Sequence, residues 1–141
     1  MRTFTFSLVT LMFLLLPLVS QAEGNAVTKP AVYGVIFYAD WCGSCKALDP
    51  KVTKARKDAS LDEKDILFVT LDLTDEVTKL QAAKMAAVLG MSDVYESNAG
   101  KTGFMLLIDA ESGEKLARLT VKLEASDIAK KIEDSIKSVT S

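Results

Sequence analysis

The sequence predicts a single α/β domain built on a central mixed β-sheet with helices on both faces. Three observations predict it. Short apolar runs rich in β-branched and aromatic residues, at residues 32–38 and 66–71, are each followed by a stretch with helical periodicity. A further pair of strand-like runs near the C-terminal end is separated only by turn residues. The chain has 141 residues, 49% hydrophobic and 26% charged, which suits one core and excludes a disordered polyelectrolyte.

The elements follow in order. Residues 23–31 are a polar lead-in, and Val32-Tyr33-Gly34-Val35-Ile36-Phe37-Tyr38 reads as a buried strand. A helix is expected over residues 44–58, with Lys51, Lys54, Arg56 and Lys57 on a solvated face, and residues 66–71 form a second buried strand. Residues 74–89 read as a helix carrying Val77, Leu80 and Val88 at helical spacing, closed by Gly90. Residues 91–101 are a polar loop. Residues 103–108 and 114–121 are strands joined as a hairpin through the turn at 109–113. Ser126 can cap a last helix whose Ile128, Ile132 and Ile136 recur every four residues. The order is βαβα followed by ββα, so part of the sheet is parallel and part is a hairpin.

Residues 1–22 have the layout of a secretory signal peptide: Arg2, an apolar run over 8–19 broken by Thr10 and Pro17, then Ser20-Gln21-Ala22 with small residues at −3 and −1. A spanning helix wants roughly 20 apolar residues, and the run over residues 4–19 is shorter. No cysteine follows it to carry a lipid. The expectation is a cleaved leader, no stable membrane insertion afterwards, and a periplasmic or secreted location where paired thiols become oxidised.

The chain contains no histidine and two cysteines. Ser-His-Asp and Cys-His nucleophiles and His-ligated zinc are therefore excluded. Seventeen basic residues against nineteen acidic ones, without a basic block, exclude the electrostatic footprint of a nucleic-acid binder. The remaining chemistry runs on sulfur, carboxylates and lysines.

Trp41-Cys42-Gly43-Ser44-Cys45-Lys46 falls where the first strand ends and the first helix begins. A helix N-terminus presents unpaired N–H groups and partial positive charge, which favour a thiolate at Cys42, the exposed first cysteine. Cys45, one turn further in, is shielded and can resolve a mixed disulfide, so exchange needs no metal or organic cofactor. Three other uses compete. A purely structural bridge over so short a loop stabilises by only roughly 2 kcal/mol. Two thiolates are half of a tetrahedral zinc set, and c-type haem attachment needs a histidine where Lys46 stands.

The stretch Phe37-Tyr38-Ala39-Asp40-Trp41-Cys42-Gly43-Ser44-Cys45-Lys46 resembles the active-site segment of the thioredoxin superfamily. It is most similar to secreted bacterial members such as the C-terminal domain of the periplasmic transmembrane disulfide reductase. Pro50 matches the proline within the family's active-site helix, and the element order matches the family core over residues 32–139. The resemblance implies a thioredoxin-like fold, Cys42 as nucleophile, Cys45 as resolving thiol, and a substrate groove walled by Trp41 with Gly43, Ser44, Thr102 and Gly103. It implies exchange with protein thiols and disulfides, as a reductant or dedicated redox carrier, with no cofactor beyond the cysteine pair and with a membrane disulfide reductase as a possible source of electrons.

The chain also departs from the family pattern. Its prolines stand at positions 17, 30 and 50, so none supplies the family's cis-proline, and Gly103 after Thr102 takes that place with an expected trans bond. Ile36 stands where the family has a buried acid, leaving Asp40 and Lys46 as alternative proton relays. Ser44 replaces the usual proline between the cysteines. A rival from another class follows from these departures: a binding module that holds a protein partner or metal ion on this scaffold without turnover.

Overall fold

A computed structural model describes residues 28–141. The 1–22 leader and most of the lead-in lie outside these residues. The elements are β1 (Val32–Tyr38), α1 (Gly43–Asp58), a 3-10 turn (Leu61–Glu63), β2 (Ile66–Asp72), α2 (Glu76–Val88), α3 (Ser92–Ser97), β3 (Phe104–Asp109), β4 (Lys115–Thr120) and α4 (Ala125–Thr140). The strand order is β2-β1-β3-β4. β1 runs parallel to β2 and antiparallel to β3, and β3 and β4 form the hairpin. The expected mixed sheet is the observed one.

Alternation along β1 and β3 divides the core into two layers, because successive side chains point to opposite faces. Tyr33, Val35, Phe37, Phe104, Leu106 and Ile108 face α2 and α3, where Ala82, Ala86 and Met91 complete one cluster. Val32, Met105 and Leu107 face α1 and α4, where Leu48, Val52, Ile128 and Ile132 complete the other. A strand buried on both faces reads as an unbroken apolar run, which is why β1 and β3 are legible as such. Phe37 and Phe104 stack with ring centroids 4.9 Å apart, and the Arg118 guanidinium lies 3.7 Å from the centroid of Phe104.

Several sequence expectations are corrected. β2 is an edge strand and not a fully buried one: Leu67 and Thr70 are exposed between buried Ile66, Val69 and Leu71. The apolar stripe of α2 faces water, with Val77 66%, Leu80 59% and Val88 83% exposed, while its buried residues are Ala82 and Ala86. Small side chains let the helix lie close to the sheet, and α3 contributes Val94 and Tyr95 to the same layer. The 91–101 segment is therefore more than a loop, since it holds α3 and the buried Met91. The last helix is capped at Glu124, whose N–H donates to Asp127 Oδ2 at 3.4 Å, so Ser126 lies inside the helix.

The end of α2 is as the sequence indicates. Gly90 takes φ +72°, its N–H donates to Ala87 O, and the Met91 N–H reaches back to Ala86 O at 2.7 Å. That pair of bonds is a Schellman ending, and it aims Met91 into the core. Lys51, expected on a solvated face, instead anchors α1: its ammonium donates to Val121 O, Leu123 O and Glu124 Oε1 before α4.

Candidate functional site: a disulfide at a helix N-terminus

The parallel pairing of β1 with β2 ends at Tyr38↔Asp72, and the chain then turns over Ala39 and Asp40 into α1. The Cys42 N–H donates to Ala39 O at 3.1 Å, which closes that turn. Cys42 is the N-cap of α1 in an extended conformation, and its sulfur accepts the Cys45 N–H at 3.1 Å. An N-cap side chain normally offers oxygen to these unpaired donors; here sulfur takes that place. Cys42 and Cys45 are joined as a disulfide.

Both cysteines are buried, Cys42 at 6% and Cys45 at 3% exposure, in a small cluster with Ala39 and Tyr38. The expectation of an exposed Cys42 is thus corrected. The cause is the segment entering β3. The Gly103 N–H donates to Phe37 O at 2.9 Å, and a Cβ built on Gly103 would fall 3.4 Å from Cys42 Sγ. This segment closes over the first cysteine.

Gly103 is itself buried and takes φ +86°. Its built Cβ would come 2.0 Å from Ser44 Oγ and 2.9 Å from Ser44 Cβ. Only a residue without a side chain fits this approach, and the positive φ is one that glycine adopts freely. Among the described residues there is no cis peptide bond, so the Thr102–Gly103 bond is trans. Ser44 Oγ lies 3.3 Å from Cys42 Sγ.

Trp41 is 62% exposed beside the cysteines, and its indole N–H donates to Thr74 O at 3.1 Å. The Thr74 hydroxyl accepts the Asp40 N–H and donates to Asp72 Oδ1. Thr74 is thus the fixed point for the residues before Cys42, and sequence reasoning did not single it out. Extending the Tyr38↔Asp72 register by two residues would have placed it opposite Asp40.

Gly43 and Ser44 form the exposed first turn of α1, and Thr102 is half-buried beside Gly103. Asp40 and Lys46 sit on the exposed rim, and among the described residues neither side chain is bonded to a sulfur. Cys45 Sγ instead lies 3.8 Å from Phe37 O, the carbonyl that also accepts from Gly103. Ile36 packs among the apolar residues under α1 and α4. Pro50 lies inside α1, where it withdraws one backbone donor from the helix. Among the described residues no group of three or more Cys, Asp or Glu side chains gathers into a metal-sized set.

The arrangement can hold negative charge on Cys42, close and open a small disulfide, and offer an aromatic platform to an incoming chain. The comparisons with known proteins give the family and the fold. The family model described as thioredoxin matches residues 20–119. The protein disulfide-isomerase of Triticum aestivum is 38% identical over 60 residues, covering 43% of this chain and 12% of that protein. The protein disulfide-isomerase of Oryctolagus cuniculus is 45% identical over 42 residues, covering 30% of this chain and 8% of that one. The chain therefore spans about a tenth of the length of the curated relatives it matches. In structure it is similar to a thioredoxin-family thiol:disulfide interchange protein from Chlorobium tepidum, with TM-score 0.52 and 18% identity over 77% of this chain and 81% of that one. It is similar also to the thioredoxin domain of a thiol-disulfide oxidoreductase from Bacteroides vulgatus, with TM-score 0.51 and 18% identity at the same coverages. At that identity the likeness speaks for the fold.

Proposed function

The chain belongs to the thioredoxin family, and from there we propose that it is an exported thiol–disulfide oxidoreductase acting on protein partners as a reductant or dedicated redox carrier. The observation that carries the reading is the disulfide placed at the N-cap of α1, with Cys42 sulfur already accepting a helix N–H. In the reduced pair, the Cys42 thiolate attacks one sulfur of a substrate disulfide. A Cys42–substrate bond forms, the substrate S–S bond breaks, and the departing thiolate takes a proton from solvent. Cys45, deprotonated, then attacks Cys42 Sγ, which restores the Cys42–Cys45 bond and expels the second substrate thiolate. The substrate gains two electrons and two protons, and the pair is left oxidised.

With both cysteines buried, their neighbours separate the two roles. Cys42 lies beside the exposed Trp41 and close to Gly103, and in this reading Trp41, Thr102 and Gly103 receive an extended substrate segment, with open space at Gly43. Cys45 faces the Phe37 carbonyl, which can accept its thiol proton in a hydrogen bond but cannot remove it. Deprotonation of Cys45 therefore falls to water, with the rim groups Asp40 and Lys46 as its proposed relay. Export is supported by the leader-like pattern of residues 1–22. In an oxidising compartment a reductant must be recharged, and a membrane disulfide reductase is the class of partner that would do it.

The test is a redox titration of the pair in defined thiol buffers, read by Trp41 fluorescence and by thiol alkylation. A reversible transition near roughly −270 mV marks a reductant, and one between roughly −180 and −120 mV an isomerase or oxidant. A pair that does not exchange with buffer thiols refutes the enzyme reading in favour of a binding module. Cys45→Ser protein mixed with a periplasmic extract is expected to trap mixed disulfides through Cys42. Fractionation of a bacterial host is expected to recover a chain beginning at Glu23 outside the cytoplasm.

A further inference from the structure

We propose that the Ser44 hydroxyl is a hydrogen-bond donor to the reacting sulfur of Cys42, and that Gly103, by having no side chain, leaves it room there. The proposal rests on the reading of Cys42 as the attacking sulfur. Ser44 Oγ lies 3.3 Å from Cys42 Sγ. A disulfide or thiolate sulfur carries no hydrogen, so the bond runs from the serine O–H to the sulfur in both states. With the Cys45 N–H at 3.1 Å, Cys42 then has two donors, one from the backbone and one from a side chain.

A serine in the exposed first turn of a helix would ordinarily turn its hydroxyl to water. Here a place beside the sulfur is open to it, because residue 103 has no side chain. A Cβ built on Gly103 would fall 2.0 Å from Ser44 Oγ, so the hydroxyl occupies the space that glycine leaves, and the Gly103 N–H bond to Phe37 O fixes that approach. The same backbone limits water around Cys42, which strengthens a bond to a charged sulfur. Charge resides on Cys42 when its thiolate attacks a substrate disulfide, and again whenever it is expelled from a mixed disulfide. Ser44 thus acts at the reacting atom, and Gly103 is a positioning residue acting through Ser44.

The titratable groups near this sulfur are Tyr38, packed on the cysteine cluster, and the exposed Asp40 and Lys46. On the segment leading to Gly103, the Lys101 ammonium is turned to Ser97 O. None of these charges is altered by a change at Ser44, so the hydroxyl can be tested alone.

The experiment measures the Cys42 thiol pKa, from the pH dependence of iodoacetamide alkylation, in Cys45→Ala protein with and without Ser44→Ala. Loss of a donor to a charged group is expected to raise that pKa by about one unit, roughly a tenfold drop in thiolate below it. Ser44→Thr, which keeps the hydroxyl, is expected to stay close to the parent, and Gly103→Ala, which drives Oγ away, to shift upward with Ser44→Ala. A shift below about 0.3 unit in Ser44→Ala, or a threonine variant that behaves like alanine, overturns the proposal. Wild-type protein that fails to exchange with glutathione buffers would overturn the functional reading, and with it a role for this bond in turnover. An unchanged pKa beside normal wild-type exchange overturns the Ser44 proposal alone.

Discussion

Replacing Gly103 by alanine probes the closest approach in the site, and its cost divides into two parts. Alanine at φ +86° adopts a backbone conformation that costs roughly 1–2 kcal/mol. Its methyl would also lie 2.0 Å from Ser44 Oγ and 2.9 Å from Ser44 Cβ. The hydroxyl can rotate away, but the Cβ moves only if α1 or the 102–103 segment shifts, an overpacking worth roughly 1–3 kcal/mol. The total of roughly 2–5 kcal/mol is a large share of a domain's roughly 5–15 kcal/mol. With a urea dependence of roughly 2 kcal/mol per molar, the unfolding midpoint should fall by about 1–2.5 M, read by far-UV circular dichroism on oxidised protein. Ser44→Gly in the same chain should restore the overpacking share and leave the backbone share, which gives a coupling energy of roughly 1–3 kcal/mol in a double-mutant cycle. Gly103→Pro should be worse than alanine, because proline fixes φ near −65°. Additivity of Ser44→Gly and Gly103→Ala, or a Gly103→Ala protein within about 0.5 kcal/mol of wild type, would refute the reasoning.

Three further outcomes follow from the packing and the charges. Phe104→Ala removes a fully buried ring that stacks on Phe37 under Arg118, and should cost about 3–5 kcal/mol by urea titration, with leucine at that position costing less. Lys51→Met leaves Val121 O and Leu123 O without their charged donor; with 27% of the lysine side chain exposed, about 1–2 kcal/mol is expected in the same assay. Asp75 caps α2, and the Thr78 N–H bonded to its carboxylate holds it below the ordinary aspartate range, with the Val77 N–H adding to the effect. Its folded value is lowered, so its stabilisation is present above the unfolded value of about 3.8 and is lost as pH falls through the folded one. Thermal melts should therefore show Asp75→Ala less stable than wild type at pH 7, with the gap narrowing as pH falls below about 3.8; a gap independent of pH would count against the carboxylate as the cap.

Much of this molecule is legible in its one-dimensional pattern, for reasons that are local. Two-sided burial writes β1 and β3 as unbroken apolar runs. Gly90 marks the end of α2 because a left-handed residue is needed there. A Cys-x-x-Cys pair at the point where a strand gives way to a helix places one sulfur on the helix N-terminus, whatever the rest of the chain does. Residues 103 and 44 are another matter: they meet because β3 pairs antiparallel with β1 in the register Phe37↔Phe104, which brings the Gly103 N–H to Phe37 O. The burial of Cys42, the direction of the Ser44 hydroxyl and the service of Thr74 to Asp40 and Trp41 all depend on contacts of that long range.

The helix α2 shows the division in a single element. Its cap and its ending are written in Asp75, Thr78 and Gly90, within hydrogen-bond reach along the chain. Which face turns inward is not. Val77, Leu80 and Val88 form the more apolar stripe, yet Ala82 and Ala86 are the residues buried, because α3 and Met91 already supply bulk to that layer and leave room only for small side chains. The sequence alone determined the elements other than α3, their order and the place of the disulfide-forming pair, since each rests on neighbours along the chain. The tertiary structure decided burial, facing and the groups around the sulfurs, because those depend on which distant segments fill the space first.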